Sequence, residues 1–252
     1  MDRWFLDPKK WENFEWAPKV SPKDVDLVIA SYNENLWYID CFENLGYKVI
    51  VYNVNKFDIF SFTPCPVTLE PANIKPVKVR KIQNYSQEAS QWLYHLSQER
   101  GNLNKFNVFL QGDLGYNLTV PLIEGVGPDR VMEILYFLNS FSPFQNWLNV
   151  PVAETSIERV SPDLRERFAP FFEPLSTPSI VPRYLGPSVS GGQFLVSKVN
   201  LLRIPENHFK KLYEYTTNNH RAAWDFEYHW GILLDAYGCV WEYPKELEPK
   251  ES

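Results

Sequence analysis

Apolar residues enter this chain in short blocks, and each block ends on a polar cluster. Asp26-Leu27-Val28-Ile29-Ala30-Ser31 is such a block, with the length and polar ending of a buried strand. Leu36 to Leu45 predicts a helix, and Gly46 is placed to end it. Tyr47-Lys48-Val49-Ile50-Val51-Tyr52 predicts a second strand, with Asn53 to Lys56 as its outgoing turn. Residues 57–78 are proline-rich and carry no clear period, which predicts an irregular excursion. Over 85–99 the helical period returns: Tyr85, Ala89, Trp92 and Leu96 share one stripe, and Asn84 with Gln87 resembles a capping pair. Residues 106–111 then form a third strand, whose apolar run Val108-Phe109-Leu110 stops at Gln111-Gly112-Asp113.

The alternation strand, helix, strand, helix, strand predicts an α/β fold: one layered domain with a mostly parallel central sheet flanked by helices. In such sheets ligands bind beyond the carboxyl ends of the strands. Three of those ends are polar here: Ser31-Tyr32-Asn33-Glu34, Asn53 to Lys56, and Gln111-Gly112-Asp113.

The second half is less regular. Val131 to Leu138 predicts an apolar helix, residues 142–190 are rich in proline, and Ser190 to Ser197 reads as a glycine-led strand. Pro205 is placed to open a helix reaching about Thr216. A last helix is expected over 221–237, ending at Gly238. The expected organisation is an aromatic arm over 1–24, a single catalytic-type domain over 25–240 and a tail over 241–252.

Composition narrows the function classes. Hydrophobic residues make up 44% of the chain, enough for a sizeable core. The 9 Trp, 14 Tyr and 17 Phe suit a ring-lined cleft as well as a ring-filled core. With a formal charge of −6 and one short basic run, Lys78-Val79-Arg80-Lys81, no concentrated face for a nucleic acid is expected. Cys41, Cys65 and Cys239 have no paired spacing, so neither a disulfide framework nor a thiolate zinc site is implied. The first residues lack the layout of a signal peptide and no stretch is apolar for long enough to span a bilayer, so a cytoplasmic location is expected.

Several residues could carry chemistry. Asp113 ends a buried strand, where a carboxylate can hold a hard cation, or can simply complete a turn. Glu88 and His95 flank the apolar stripe of the 85–99 helix, as a pair in use or as an edge pair on the sheet. Glu227 falls inside the apolar stripe of the last helix with Ala223, Phe226, Trp230, Leu233, Leu234 and Tyr237. There it is either a general base with a raised pKa or half of a structural Glu–Arg pair, while Asp225 and His229 project to the far side. Gly191-Gly192-Gln193 bares main-chain amides beside a strand, as a sugar or phosphate subsite needs and as an ordinary bulge also does.

Val25 to Glu34, then Tyr52-Asn53 and Lys56, then Glu88-Ala89 with Tyr94-His95-Leu96, then Phe109-Leu110-Gln111-Gly112-Asp113 follow the order of a family catalogued as a domain of unknown function. Gly192-Gln193-Phe194-Leu195-Val196-Ser197 and Glu227-Tyr228-His229-Trp230 match its later pattern, so the resemblance covers most of 25–235. A departure is Ser86-Gln87, where family members often carry Gly-Arg, a cation beside Glu88 that this chain lacks.

That family in turn resembles, more distantly, glycosyltransferases of the GT-A type. The resemblance implies a nucleotide-sugar donor over Tyr32, Asn33 and Glu34, with Lys56, Glu88, His95, Gln111, Gly191, Gly192 and Gln193 as further substrate contacts. It also implies Asp113 as ligand to Mn²⁺ or Mg²⁺ in the place of an Asp-x-Asp motif, with Gln111 where the first acid would stand, and Glu227 as the base on the acceptor. Two other functions stay open at this point: a non-catalytic glycan- or nucleotide-binding domain on the same scaffold, and a hydrolase using Glu88, His95 and Asp113 around a metal.

Overall fold

The computed structural model describes residues 15–32, 34, 36, 38–53, 78–81, 87–114, 128–150 and 193–219, and residues 222, 223, 225, 226, 230, 233 and 234. Among the described residues six strands form one mixed sheet: β1 (Val25–Ser31), β2 (Lys48–Asn53), β3 (Lys78–Lys81), β4 (Phe106–Gln111), β5 (Trp147–Asn149) and β6 (Phe194–Ser197). Their spatial order is β3-β2-β1-β4-β6-β5. The first four strands run parallel, with Val28 opposite both Ile50 and Phe109, whereas β6 runs antiparallel to β4 and to β5. The chain is thus α/β, as its alternation of elements predicts.

The helices are α1 (Ile39–Asn44), α2 (Gln87–Gln98), α3 (Pro128–Ser140), α4 (Lys198–Arg203) and α5 (Glu206–Asn218). Residues 222, 223, 225, 226, 230, 233 and 234 are also helical. Every residue of β1 is buried, because a parallel central strand is covered on both faces. On one face Leu27, Ile29, Val49, Val51, Val108 and Leu110 pack against α1 and α3. On the other, Val28, Ile50, Tyr52, Phe109 and Phe194 pack against α2, α5 and the last helical residues. Burying each such side chain stabilises the fold by about 1.5–3 kcal/mol.

Local signals explain the element ends. Gly46 has φ +90°, and the Gly46 and Tyr47 N–H groups donate to the carbonyls of Glu43 and Phe42, a Schellman ending for α1. Ser197 closes β6 and caps α4 by accepting from the Asn200 N–H at 3.2 Å.

Some boundaries differ from expectation. The helix expected from Leu36 starts at Ile39, after a turn in which the Ile39 N–H donates to the Leu36 carbonyl. The one expected at Val131 extends from Pro128 to Ser140. Strands β3 and β5 were not expected. The glycine-led strand begins at Phe194, and residues 54–77 and 190–192 lie outside the described residues.

Of the expected arm, Trp16 meets Tyr47 edge-on at 5.9 Å, and Asn139 bonds the Ala17 N–H and the Glu15 carbonyl. Residues 241–252 lie outside the described set. No helix among the described residues is long and apolar enough to cross a membrane.

Candidate functional site at the carboxyl ends of β1 and β4

From β1 the chain steps to β2 and β3 on one side, then returns to place β4 on the other side of β1. The sheet order therefore reverses between β1 and β4, and the loops that leave these two strands diverge there. Ser31-Tyr32 and Glu34 leave β1, while Gln111-Gly112-Asp113-Leu114 leaves β4. The Gly112 N–H donates to the Ala30 carbonyl at 2.7 Å, so the strand ends stay joined past the last ladder pair.

Glu34 closes the β1 end. Its Oε2 accepts from the Tyr32 N–H at 2.6 Å and from the Ser31 hydroxyl at 3.0 Å. The carboxylate lies directly over Gly112, since a Cβ added there would stand 2.6 Å from Glu34 Oε2 and 2.8 Å from its Cδ. Only glycine admits this approach.

The β4 end is a tight turn. The Leu114 N–H donates to the Gln111 carbonyl at 2.9 Å, and Leu114 is fully buried with φ +54°, a conformation that disfavours a side chain. Two buried groups hold this turn from below. The Tyr38 hydroxyl donates to the Gly112 carbonyl at 2.7 Å, and Arg130 Nε donates to the Leu114 carbonyl at 2.6 Å while its guanidinium pairs with Glu133. Burial, and then the negative charges of Glu34 and Asp113, hold the Tyr38 phenol well above its ordinary pKa, so it stays protonated. Both carboxylates thus act on one hydroxyl.

Two buried glutamines finish the strand ends. Gln91 Oε1 accepts from the Ser31 N–H at 3.2 Å, and Gln193 Oε1 accepts from the Gln111 N–H at 3.1 Å. Each supplies an acceptor where the ladder runs out.

The structure therefore gathers Tyr32, Glu34, Gln111, Asp113 and Gln193 at one place. Tyr32 presents an exposed ring there. His95 belongs to a different arrangement: it is buried under the sheet, with Nδ1 2.9 Å from the Tyr52 hydroxyl and its ring edge-on to Phe109. That hydroxyl also accepts from Arg80, which pairs with Glu99 at 2.5 Å. Glu88 stands half-buried in the first turn of α2.

Asn33, Lys56, Gly191, Gly192, Glu227 and His229 lie outside the described residues. Around Glu227, Ala223, Phe226, Trp230, Leu233 and Leu234 are buried as the stripe predicts. Asp225, expected to project away, is buried as well, because the Tyr215 hydroxyl donates to it at 2.8 Å.

Tyr38, Gln91 and Arg130 are parts of the site that pattern reading passes over. Tyr38 and Gln91 act across 74 and 60 residues of chain, and the one signal for Arg130 is a cation on the buried side of an apolar helix.

Among the described residues, no three His, Cys, Asp or Glu side chains gather as a metal-holding group. Glu34 and Asp113 follow the ends of the neighbouring strands β1 and β4, and small divalent cations commonly take one or two carboxylates, with phosphate and water oxygens completing the sphere. The residues present fit such an ion on that ground.

Fold and site together define a mixed α/β protein with acidic loops at the switch point of its sheet. Comparison of the chain with protein-family models, curated proteins and solved structures found no match.

Proposed function

We propose that the chain is a GT-A-like glycosyltransferase, moving a sugar from a nucleotide-sugar donor to an acceptor hydroxyl. The observation that carries this reading is the adjacency of β1 and β4 at the switch point, with Glu34 and Asp113 both bearing on Tyr38. The resemblance requires the loop after the first strand and the acid after the middle strand to meet, and adjacent parallel strands bring their loops together.

In this reading the exposed ring of Tyr32 offers a stacking surface to the donor. Asp113 holds the cation, and Tyr38 and Arg130 keep the turn carrying Asp113 rigid through their bonds to the Gly112 and Leu114 carbonyls. A bound divalent cation supplies charge neutralisation for the departing nucleoside diphosphate. The acceptor oxygen forms the new bond to the anomeric carbon as the bond from that carbon to the diphosphate oxygen breaks. The hydroxyl proton passes to Glu227 as general base.

Titration calorimetry of the full chain with UDP, GDP, ADP and CDP, each with and without Mn²⁺, tests this. Binding of one nucleotide with the metal supports the reading, and no heat across the panel from folded protein overturns it.

The exposed Tyr32 ring also favours a second reading, a glycan-binding domain without chemistry. There Glu227→Gln leaves binding unchanged and no transfer to any acceptor is detected.

A further inference from the structure

Helix α1 ends on an acid that its surroundings oppose. Glu43 sits in the last turn of α1, where the carbonyl end of the helix gathers negative charge and no basic residue stands. Asp40 lies three residues earlier on the same side of the helix, so the two carboxylates repel when both are ionised. Glu43 is half-buried, and its Oε2 is closed off from solvent with no hydrogen-bond partner. Helix end, neighbour and burial all act against the charged form.

The charged groups on the elements around α1 do not relieve this. Lys48 on β2 pairs with Asp26 at 2.7 Å, Asp24 in the Pro22–Asp24 turn pairs with Lys105 at 2.8 Å, and Arg130 on α3 pairs with Glu133. Glu15, Lys19 and Lys23 lie in the chain before β1, and the charge that acts on Glu43 is that of Asp40. Burial raises the Tyr47 phenol, which therefore stays neutral. Burial first, and then Asp40, push the Glu43 carboxyl up to about 7.

The other end of the same helix meets the site. The Tyr38 carbonyl accepts from the Cys41 and Phe42 N–H groups at 3.1 and 3.4 Å, and the Tyr38 hydroxyl donates to the Gly112 carbonyl at 2.7 Å. With six residues, α1 is too short to keep its form without packing, so a loosened last turn reaches its first.

We propose that Glu43 is a pH-sensitive control on the β4 turn: when its carboxylate ionises, α1 loosens and the Tyr38 bond to Gly112 opens, freeing the turn that carries Asp113. The control acts on the turn without any ligand. Only its consequence, weaker nucleotide binding at high pH, rests on the transferase reading.

Amide hydrogen exchange of the full chain at pH 6 and pH 8, with intrinsic rates divided out, reads the turn through the Gly112 and Leu114 N–H groups, which donate to Ala30 and Gln111. An opening that returns Glu43 to its ordinary 4.5 becomes about tenfold more populated between those pH values. We expect these two amides to lose protection by about that factor, while those of Val28 and Ile29, in a strand paired on both sides, do not. Glu43→Gln should abolish the change. Tyr38→Phe should leave the two turn amides poorly protected at both pH values.

Equal protection at pH 6 and pH 8 in the native chain overturns the inference, as does a loss shared by Val28 and Ile29, which marks global unfolding. A change that survives in Glu43→Gln or in Tyr38→Phe overturns it as well, because the control then runs through other groups. The exchange readout needs no nucleotide, so failure of every nucleotide to bind overturns the transferase reading and leaves this inference standing.

Discussion

The Tyr38 hydroxyl donates a 2.7 Å hydrogen bond to the carbonyl of Gly112, 74 residues further along the chain. The bond ties the lead-in to α1 to the turn that ends β4. Tyr38 is itself fully buried, and its ring meets Phe42 edge-on at 5.8 Å. One side chain therefore fixes the height of the turn that carries Asp113 and transmits the packing of α1 to it.

Tyr38→Phe keeps the ring and removes the donor. The Gly112 carbonyl loses this partner in a buried setting, which costs about 1–3 kcal/mol. Chemical denaturation should show that loss as a lower midpoint with an unchanged slope. A midpoint equal to that of the native chain would mean that the bond contributes nothing net.

Gly112→Ala probes the same junction from the other side. The added Cβ would stand 2.6 Å from Glu34 Oε2, so the carboxylate must leave. It is the mobile end of a side chain, so the fold accommodates the change. The loss is the pair of bonds to Tyr32 and Ser31, about 1 kcal/mol net each by the usual value of such bonds. On the transferase reading, nucleotide binding in the presence of Mn²⁺ should fall at least about tenfold, from loss of the anchored end of the β1 loop beside the metal-holding turn, against this modest drop in stability. Equal binding in the variant would show that the place of Glu34 over Gly112 has no functional weight.

Gly46→Ala is a purely conformational test far from the site. The φ of +90° is a backbone state an alanine enters at about 1–2 kcal/mol. Space is not the obstacle, because the nearest atom to the new Cβ would be Pro22 Cβ at 3.7 Å. Denaturation should show that loss with nucleotide binding unchanged. A neutral substitution would argue that α1 ends without needing the left-handed residue.

The central strands were legible because each is a run of apolar residues closed by polar ones, and β1, β2 and β4 lie where those runs fall. β3 was not, since Lys78-Val79-Arg80-Lys81 reads as a basic run and becomes a strand through its register with β2. β5 spans three residues and is set by pairing with β6. At the site, the polar strand ends and Gln193 were readable, but other supports were not: Tyr38 and Gln91 act through hydrogen bonds that span 74 and 60 residues. His95 was readable as a polar group beside an apolar stripe, but its partner was not. An imidazole beside an apolar stripe suggested chemistry at the strand ends, and tertiary packing instead gives it Tyr52.

Glu43 on α1 sets one pH dependence. Burial, and then the charge of Asp40, push its carboxyl up from 4.5 to about 7. Between those values the folded chain holds a proton that the unfolded chain releases, so this group's contribution is full below pH 4.5 and is lost as pH rises through 7. Glu43→Gln should therefore stabilise the fold at pH 8 relative to the native chain and make little difference at pH 4.5. Melting curves of the two proteins at both pH values check this, and an equal gain at both would assign the effect to packing.

His208 on α5 works in the other direction. It is buried, and burial followed by the nearby Lys211 lowers its pKa from 6.5 to about 4. Below pH 6.5 the unfolded chain takes up a proton on this ring that the folded chain refuses until about pH 4. Stability from the group is present above 6.5 and drains away as the pH falls through that window. A His208→Gln variant carries no such proton, so its denaturation midpoint should fall less steeply than that of the native chain between pH 6.5 and pH 4. Comparing the two proteins isolates the histidine, because the carboxylates that also titrate there are common to both. If the two midpoints decline in parallel, the ring is protonated equally in the folded and unfolded chains, and the burial of His208 carries no linkage to pH.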